Sequence, residues 1–374
     1  MTAGRRLTVV QLLPALESGG VERSTLEIAQ ALVEAGHRAI VVSRGGRLVP
    51  RLEALGAEHV AIDLGRKSPR VIAAIAPLRS LLEREHADIV HARSRLPAWI
   101  GRFALRGMAA SHRPRFVTTV HGLNSPSRYS AVMTAAERVI CVSATVRDYV
   151  LRHYPATDPA KLRIIERGID AAMFPRAAAR DPAARDWAAA RYPALGGNGP
   201  LLLLPGRGTR LKGHVDAIAL LARLRADGLD ARLWLPGARE SGRERYIAEM
   251  EREARRVGVE RMVAFTPPTE AIVRAYAASD LVLQLSRKPE SFGRTVVEAL
   301  SVGRPVLGWA HGGVGELLAR LQPRGAVTPF DPALLHGAAC ELLARPPAPP
   351  ATIPQTLHAM QEATLDVYAE LAGR

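Results

Sequence analysis

Short apolar runs alternate with longer amphipathic stretches along the whole chain. In the first half the apolar runs are "LTVVQLL", "AIVVS", "HVAID", "DIVHA", "FVTTV", "RVICVS" and "LRIIE"; in the second half they are "LLLLP", "ARLWLP", "MVAFT", "DLVLQL", "PVLGW" and "AVT". Continuously apolar runs, unlike alternating ones, are typical of parallel strands that helices cover on both faces. The pattern therefore predicts an α/β protein with two doubly wound parallel-sheet domains.

Two changes in composition mark the domain boundaries. An Ala/Pro/Gly-rich stretch separates the two halves, and "RPPAPPATIPQ" precedes a last helix whose apolar residues share one face. Such segments are typical of linkers and hinges. We therefore expect a first domain at 1–176, a linker at 177–199, a second domain at 200–345, and a hinge with a C-terminal helix at 346–374.

The composition is that of a globular chain without a membrane span. The chain has 374 residues, of which 48% are hydrophobic, and no run approaches the ~18 apolar residues that cross a bilayer. The start, "MTAGRRLTVVQLLPAL", is similar to a secretory leader, but no cleavage pattern follows and we interpret it as the first strand. Cys141 and Cys340 lack metal or redox spacing, which favours a reducing cytoplasm.

Positive charge is concentrated in the first half of the chain. The net charge is +15, although only four of the 51 basic residues are lysines, a bias that GC-rich coding also produces. Residues 1–176 hold 26 basic and 15 acidic side chains. Between Asp88 and Glu137 there is no acid, and this window contains Arg93, Arg95, Arg102, Arg106, Arg113, Arg115 and Arg128. A basic surface of this kind favours a polyanionic partner.

Two Gly-rich turns could hold an anion. Gly19 and Gly20 follow the first strand and open a helix, where free amides and the helix dipole favour an oxyanion. In the second half, "PGRGTRLKGH" places Arg207, Arg210 and Lys212 among glycines at a switch-point position. A bare strand-to-helix turn explains the first motif about as well, and a solvated basic turn is the alternative for the second.

Further along, "PESFGRTVVEAL" holds two acids and "FVTTVHG" ends a strand at a histidine. Glu290 lies in a Pro/Gly-flanked turn, and Glu298 lies in an apolar helical pattern, where a carboxylate needs a partner. His121, like His91, is by itself more typical of a structural hydrogen-bond donor than of a catalyst. No D-x-D pair, no His/Cys/carboxylate cluster and no G-x-S-x-G motif is evident, so the sequence predicts no metal ligands.

Together these motifs resemble glycosyltransferase family 4, whose members are retaining enzymes with the GT-B fold. The resemblance rests on "SGGVERSTLEIAQAL", "GRGTRLKG", "AYAASDLVLQLS", "ESFGRTVVE" and "ALSVGRPVLGWAHGGVGE", which occur in the family's order along nearly the whole chain. "VHARSRLPAWIGR", "VTTVHG" and "RGID" are similar to bacterial members that build lipopolysaccharide core or other surface glycans. The resemblance implies two Rossmann-like domains that face each other across a cleft, with the C-terminal helix returning to the first.

The resemblance also implies a role for each site residue. Glu298 would bind the ribose diol, and Arg207 and Lys212 would bind the diphosphate. Gly19 and Gly20 would allow a close approach to the phosphate or the sugar. Contacts to the donor sugar would come from His121, Glu290, Phe292, Gly293 and Arg294. The family's common Asn-Gly before Ile-Asp is replaced here by Arg167 and Gly168, so no role passes to Arg167.

The implied reaction moves a sugar from a UDP- or GDP-linked donor to a lipid-linked glycan. No cofactor and no metal are expected, because cations and amides can stabilise the leaving diphosphate. We expect the first domain to carry the acceptor at the anionic cytoplasmic face of the inner membrane, and no nucleic acid to bind. A nucleotide-sugar epimerase, a phosphorylase with pyridoxal phosphate on a lysine, and a non-enzymatic polyanion-binding protein remain alternatives.

Overall fold

The chain forms two compact units in a computed structural model that describes residues 5–17, 19–66, 68–177 and 180–373. Unit 1 consists of residues 1–167 and 357–374, and unit 2 consists of residues 168–356. Residues 1–4 of the leader-like start lie outside the described residues. The next part, up to Leu12, leads into the first strand as predicted.

Unit 1 is built on a seven-stranded parallel sheet with the order β3-β2-β1-β4-β5-β6-β7. Its strands are β1 (Thr8–Leu12), β2 (Arg38–Ser43), β3 (Glu58–Ala61), β4 (Ile89–Ala92), β5 (Arg115–Val120), β6 (Arg138–Cys141) and β7 (Leu162–Ile164). The central strands are buried on both faces, as their continuous apolar runs require. The sheet reverses its order between β1 and β4, which places the switch point there.

The helices of unit 1 cover both faces of this sheet. They are α1 (Gly20–Glu34), α2 (Val49–Ala54), α3 (Ile75–Arg84), α4 (Arg95–Arg106), α5 (Ala144–His153) and the C-terminal α13 (Leu357–Ala372), with 3-10 segments at Pro69–Ala74, Ala110–His112, Ser130–Thr134 and Pro159–Lys161. Helix α13 packs against α1 and contributes Met360, Val367, Tyr368 and Leu371 to the core of unit 1. Helix α13 therefore completes the unit that the strands and helices of residues 5–167 form.

Unit 2 holds a six-stranded parallel sheet with the order β10-β9-β8-β11-β12-β13. Its strands are β8 (Leu201–Leu203), β9 (Arg232–Pro236), β10 (Val263–Thr266), β11 (Leu281–Gln284), β12 (Val306–Trp309) and β13 (Ala326–Val327). This is the order of the dinucleotide-binding fold, and its switch point lies between β8 and β11. The prediction of two doubly wound parallel sheets is confirmed.

The helices of unit 2 enclose a core that includes the buried side chains of Leu202, Leu221, Leu233 and Leu283. They are α6 (Pro182–Arg191), α7 (His214–Ala226), α8 (Glu244–Arg256), α9 (Ile272–Ala278), α10 (Arg294–Val302), α11 (Gly312–Leu321) and α12 (Pro332–Ala344), with 3-10 segments at Pro193–Leu195, Arg210–Lys212, Glu260–Met262 and Pro323–Gly325.

The stretch predicted as a linker is part of unit 2. Residues 168–176, which the sequence assigns to the first domain, also belong to unit 2. Within 177–199, helix α6 packs against α9, and Asp181 caps it by accepting hydrogen bonds from the backbone amides of Ala183 and Ala184. Alanine-rich composition suggested a flexible segment, whereas the Asp-Pro start is a helix N-terminal signal.

The Pro-rich hinge also packs within unit 2. The Ile169 amide donates to the carbonyl of Gln355, and the Arg176 guanidinium donates to the carbonyl of Pro350. The segments by which the chain enters and leaves unit 2 therefore lie side by side. Among the described residues, no helix is both long and apolar enough to cross a bilayer.

Candidate active site

The basic loop of unit 2, residues 205–213, joins β8 to the N-terminus of α7 at the switch point of the sheet. Gly213 has φ 76°, and a Cβ there would lie 2.0 Å from the carbonyl oxygen of Leu285 in the segment that follows β11. Only glycine lets these two segments approach so closely. Because α7 begins at His214, its free amides and its positive dipole end lie beside the cations of the loop.

The three cations of the basic loop have different partners. Lys212 Nζ donates to Glu290 Oε1 at 2.5 Å. Arg210 pairs with Glu249 and its guanidinium stacks over the ring of Tyr246. The Arg207 side chain is exposed and makes no hydrogen bond or ion pair with any part of the chain that the structure describes. Arg207 is therefore the cation most available to an anionic ligand, whereas Arg210 holds the loop on α8.

Glu290 is the centre of a small polar cluster after β11. Besides Lys212, its carboxylate accepts hydrogen bonds from the Ser286 hydroxyl and, at 3.3 Å, from the Gln284 amide. The Ser286 carbonyl in turn contacts His311 Nε2 at 2.8 Å. These contacts fix the orientation of the carboxylate while leaving its side chain 23% exposed.

Glycines allow the segment 289–293 to lie against the start of α11. The Gly313 amide donates to the carbonyl of Glu290 at 2.8 Å, and a Cβ on Gly313 would lie 2.4 Å from the carbonyl oxygen of Phe292. The Phe292 side chain is buried, so this residue can offer only its backbone to a ligand. Gly293 has φ 106° and caps α10, where Arg294 is the first helical residue.

The partners of Glu298 inside unit 2 include Tyr276 and Arg294. Its Oε2 accepts a hydrogen bond from the Tyr276 hydroxyl at 2.8 Å, and its Oε1 lies 3.2 Å from Arg294 Nε. Burial, and then the Glu298 carboxylate, raise the pKa of Tyr276 well above its usual value, so the phenol stays protonated and donates. These contacts orient the Glu298 carboxylate within unit 2.

In unit 1, the predicted Gly19 and Gly20 open α1 after the switch-point strand β1. Gly19 is the N-cap residue and Gly20 is the first residue of this 15-residue helix, and both are exposed. A Cβ on Gly20 would meet nothing within 4 Å. The segment therefore leaves free amides open to a ligand at a helix N-terminus.

His121 follows β5 in unit 1 and joins a buried polar network that the sequence did not predict. Its Nδ1 accepts a hydrogen bond from the Arg167 guanidinium, which also donates to the hydroxyl oxygen of Ser24. The same Ser24 oxygen accepts from Arg93, whose Nε donates to the Gln11 side chain. Arg93 is 2% exposed. Burial first, and then Arg167, lower the pKa of His121 well below its usual value.

His91 is a structural residue, as its isolated position suggested. Its ring is fully buried, with Nδ1 2.6 Å from the Tyr368 hydroxyl and Nε2 2.7 Å from the Thr119 hydroxyl. Tyr368 belongs to α13, so this histidine attaches the C-terminal helix to the sheet of unit 1. Burial lowers its pKa well below the usual value, and the ring is neutral at physiological pH.

Among the residues that the structure describes, a His/Cys/carboxylate cluster comes together that the sequence did not predict. His336 and Cys340 are four residues apart on α12, and the ligand atoms of both and of Asp227 lie within 4.8 Å of one another. His336 Nε2 is 2.6 Å from Asp227 Oδ2 and 3.6 Å from Cys340 Sγ. The group lies on α12 and at the end of α7, distant along the chain from the residues predicted to bind the donor.

Two units, each built on a parallel sheet with a glycine-containing turn at its switch point, have the architecture of the GT-B glycosyltransferases. The model for glycosyltransferase family 4 matches residues 18–172, and the model for glycosyl transferases group 1 matches residues 189–356. The chain therefore belongs to the glycosyltransferases, with a family 4 N-terminal region and a group 1 C-terminal region, and it is an enzyme. The resemblance that the motifs suggested is confirmed.

Individual relatives agree with this assignment. The chain is 26% identical to a glycogen synthase of Mycobacterium tuberculosis over 92% of its own length and 87% of that protein. It is similar to the crystal structure of a glycosyltransferase from Rickettsia africae, with 27% identity, a TM-score of 0.85 and 98% and 99% of the two chains covered. The fold also matches Anabaena HepE in complex with UDP and glucose, with 20% identity, a TM-score of 0.75 and 98% and 95% coverage.

Proposed function

We propose that this glycosyltransferase moves a sugar, with retention of configuration, from a nucleoside diphosphate sugar to a lipid-linked glycan such as a lipopolysaccharide core. The proposal that the chain binds a nucleoside diphosphate sugar rests on the arrangement of side chains at the switch point of unit 2. There the exposed Arg207 and the Lys212–Glu290 pair lie on loops beside the N-terminus of α7. This arrangement supports binding of a diphosphate next to a carboxylate that can accept hydrogen bonds from sugar hydroxyls.

In the proposed complex, each part of the donor has its own group of residues in unit 2. Glu298 binds the ribose hydroxyls, Arg207 and Lys212 bind the diphosphate, and Glu290 binds the sugar. The backbone at Phe292, Gly293 and Arg294 adds further contacts to the sugar. A UDP-linked donor is supported by the fold relative HepE, whose complex contains UDP and glucose; a GDP-linked donor is the alternative.

The proposed mechanism is electrostatic stabilisation of the leaving diphosphate. As the bond to the sugar breaks, negative charge grows on the phosphate oxygens, and Arg207, Lys212 and the amides of α7 bind this charge more tightly than they bind the intact donor. The departing phosphate takes the proton of the acceptor hydroxyl, so no side chain acts as a general base. No metal ion takes part in this proposal, because fixed cations of the chain supply the positive charge.

We place the membrane-facing surface on helix α4 of unit 1. The rings of Trp99 and Phe103 stack with centroids 5.6 Å apart, Arg102 lies over Trp99, and Arg106 lies over Phe103. We call these four residues the α4 face. Phe103 is 40% exposed, and aromatic rings interleaved with arginines are typical of helices that lie at an anionic lipid surface. An acceptor embedded in that surface would then be brought to unit 1.

The decisive experiment is a thermal-stability screen of the full chain against nucleotides and nucleotide sugars, followed by mass spectrometry of the products. A donor that binds the folded state raises the melting temperature by mass action, and Glu298→Gln should reduce that shift. Sugar transfer or slow donor hydrolysis should persist in excess EDTA. Stabilisation by no nucleotide sugar would contradict the proposal, and activity that is lost in EDTA and restored by Mg²⁺ or Mn²⁺ would contradict its metal independence.

A further inference from the structure

Arg167 connects two parts of unit 1 that lie far apart in the sequence. It follows β7, where the chain is about to leave unit 1, and its guanidinium reaches both α1 and the end of β5. One Nη atom donates to the hydroxyl oxygen of Ser24 on α1, and the other donates to Nδ1 of His121. The second Nη is 3.5 Å from the other ring nitrogen, Nε2, so the contact to Nδ1 is the closer of the two.

The chemistry of the two groups decides where the proton of the imidazole lies. A guanidinium has five N–H donors and no acceptor, and it stays protonated at every pH at which the protein is folded. Its partner on His121 must therefore be an unprotonated nitrogen. A neutral imidazole whose Nδ1 accepts a hydrogen bond carries its single proton on Nε2.

We propose that Arg167 is a positioning residue that holds His121 as the neutral Nε2–H tautomer, so that the imidazole acts toward the donor sugar as a hydrogen-bond donor and not as a base. The part of this inference that concerns the sugar rests on the proposed function. The part that concerns the tautomer rests only on the contact between Arg167 and His121.

The surroundings of His121 support a neutral ring. The titratable groups that face it are Arg167 from the segment after β7, Arg93 from the segment after β4, and His91 from β4 itself. Burial, followed by these three groups, keeps its pKa well below the usual value. His91 cannot supply a compensating negative charge, because it is itself neutral and bonded to Tyr368 and Thr119.

This arrangement gives His121 one chemical role and excludes another. With Nδ1 occupied by Arg167 and Nε2 protonated, neither nitrogen has a lone pair free to take a proton from an acceptor hydroxyl. The Nε2–H can donate to a sugar hydroxyl or to the ring oxygen without adding a full positive charge. This role is compatible with the proposed mechanism, in which the leaving phosphate and no side chain accepts the proton.

The tautomer can be measured without any assay of activity. In the full chain labelled with ¹⁵N-histidine, long-range ¹H–¹⁵N correlation distinguishes protonated from unprotonated ring nitrogens, and the His121 signals are those lost in His121→Gln. We expect an unprotonated Nδ1 and a ring that stays neutral at pH 7, because burial and the nearby guanidinium groups hold the pKa of His121 well below its usual value. Arg167→Met should populate the Nδ1–H form or move the titration of His121 to higher pH, since the nearest positive charge is gone.

Two further variants make this measurement specific. Arg167→Lys retains a donor-only cation and should keep the Nε2–H tautomer, while Arg163→Met removes a nearby arginine on β7 and should leave the ring signals unchanged. A protonated Nδ1 in the wild type, or identical ring signals and titration in Arg167→Met, would overturn the assignment. If Arg167→Met does not fold, the wild type and Arg167→Lys still test the tautomer assignment. A protonated Nδ1 in either protein would contradict that assignment.

Kinetics then test the link to the donor. Arg167→Met should lower kcat by about 10- to 100-fold, the loss seen when partners that orient metal-bound imidazoles are removed, with little change in nucleotide affinity and partial rescue in Arg167→Lys. A changed tautomer with unchanged kcat would overturn the role toward the sugar. A wild-type enzyme that transfers no sugar would count against the proposed function. The NMR measurement would still test whether Arg167 sets the tautomer of His121.

Discussion

Lys212 Nζ lies 2.5 Å from Glu290 Oε1, although the two residues are 78 positions apart in the sequence. The sequence predicted the lysine as a ligand of the diphosphate and the glutamate as a ligand of the donor sugar. In the structure, each of these charges is the other's partner. In the proposed complex, Glu290 therefore competes with a phosphate for Lys212, so removing the charge of Glu290 should affect nucleotide binding and turnover in opposite directions.

Glu290→Gln should bind UDP more tightly and turn over more slowly. The substitution removes the charge that neutralises Lys212, and a partly exposed pair of this kind contributes up to about 1 kcal/mol, which corresponds to roughly fivefold in Kd. Titration calorimetry with UDP measures the affinity, and donor hydrolysis measures kcat. Glu249→Gln, which removes the partner of Arg210, is the matched control and should change neither. Weaker UDP binding in Glu290→Gln would contradict this account.

Lys212→Met should lower kcat by about 100-fold, because a cation aimed at the leaving diphosphate acts mainly in the transition state. Arg207→Met should lower kcat in the same direction. Arg210→Met is the internal control from the same loop, since its guanidinium is already engaged by Glu249 and Tyr246. Equal losses of kcat in all three variants would mean that the loop contributes to turnover through its conformation and not through the charges of Lys212 and Arg207.

Glu298→Gln should weaken nucleotide binding about tenfold, since hydrogen bonds to a charged group contribute roughly 1.5–3 kcal/mol. Tyr276→Phe removes the hydroxyl that holds this carboxylate and should weaken binding by a smaller factor. Calorimetry with UDP and with uridine separates the ribose contact from the phosphate contacts, and the loss should be similar for both ligands. The same UDP affinity in wild type and Glu298→Gln would remove this residue from the binding site.

The free energy of unfolding should decrease as the pH falls from 6.5 to about 4. Burial lowers the pKa of His214 to about 4, with Lys212 adding to the effect, whereas the unfolded ring titrates near its ordinary value of 6.5. Between these two values the unfolded chain binds the extra proton, so stability is fully present above pH 6.5 and is lost on acidification, by about 3 kcal/mol for this ring alone.

Urea unfolding at several pH values checks this prediction. His214→Gln should flatten the dependence, whereas His358→Gln, an exposed histidine on α13 whose side chain is 79% exposed, should leave it unchanged. The buried His91 and the half-buried His121 should contribute with the same sign, because desolvation also lowers their pKa values. A stability that rises on acidification through this range would contradict the assignment.

The α4 face should bind vesicles that contain anionic lipid. Each arginine near such a surface contributes about 1 kcal/mol, so Arg102→Gln with Arg106→Gln should reduce co-sedimentation about 30-fold, and salt should reduce it as well. Arg252→Gln with Arg255→Gln on α8 removes the same charge from unit 2 and serves as the control. Binding to neutral vesicles that ignores salt, or no binding to anionic ones, would favour an acceptor in solution.

Two further arginines of the basic window, Arg113 and Arg115, give a less specific test. They lie in the same acid-free window of the sequence as the pair on α4. Arg115, however, pairs with Glu137 at 3.0 Å, and the Arg113 guanidinium donates to the carbonyl of Met108. Loss of either contact could disturb the start of β5 and not only the surface charge, so the α4 pair is the cleaner substitution.

The sequence predicted the strands and the positions of the turns well, because both signals are local. Continuous apolar runs identified the thirteen strands, and the glycines identified the turns after β1 and β8. The partners of the site residues could not be predicted in this way. Tyr276 is separated from Glu298 by 22 residues and Arg167 from His121 by 46, and such contacts depend on how strands and helices pack.

Two features of the structure were missed in the sequence, the first for a local reason and the second for a non-local one. Alanine-rich residues 177–199 were interpreted as a linker, although Asp181 before Pro182 is a helix start. The deviation at Arg167 was visible in the sequence, but its partner was not, because nothing near it in the chain indicates that its guanidinium reaches the ring of His121.

The return of α13 to unit 1 determines the order in which the newly made chain can fold. Tyr368 of this helix bonds to His91, and Glu370 pairs with Arg138 on β6. Unit 2 lies entirely between these partners in the sequence, so it can fold while the last helix is still inside the ribosome. Unit 1 is synthesised first but completed last, and until then the face of its core that α13 covers is exposed to chaperones and proteases.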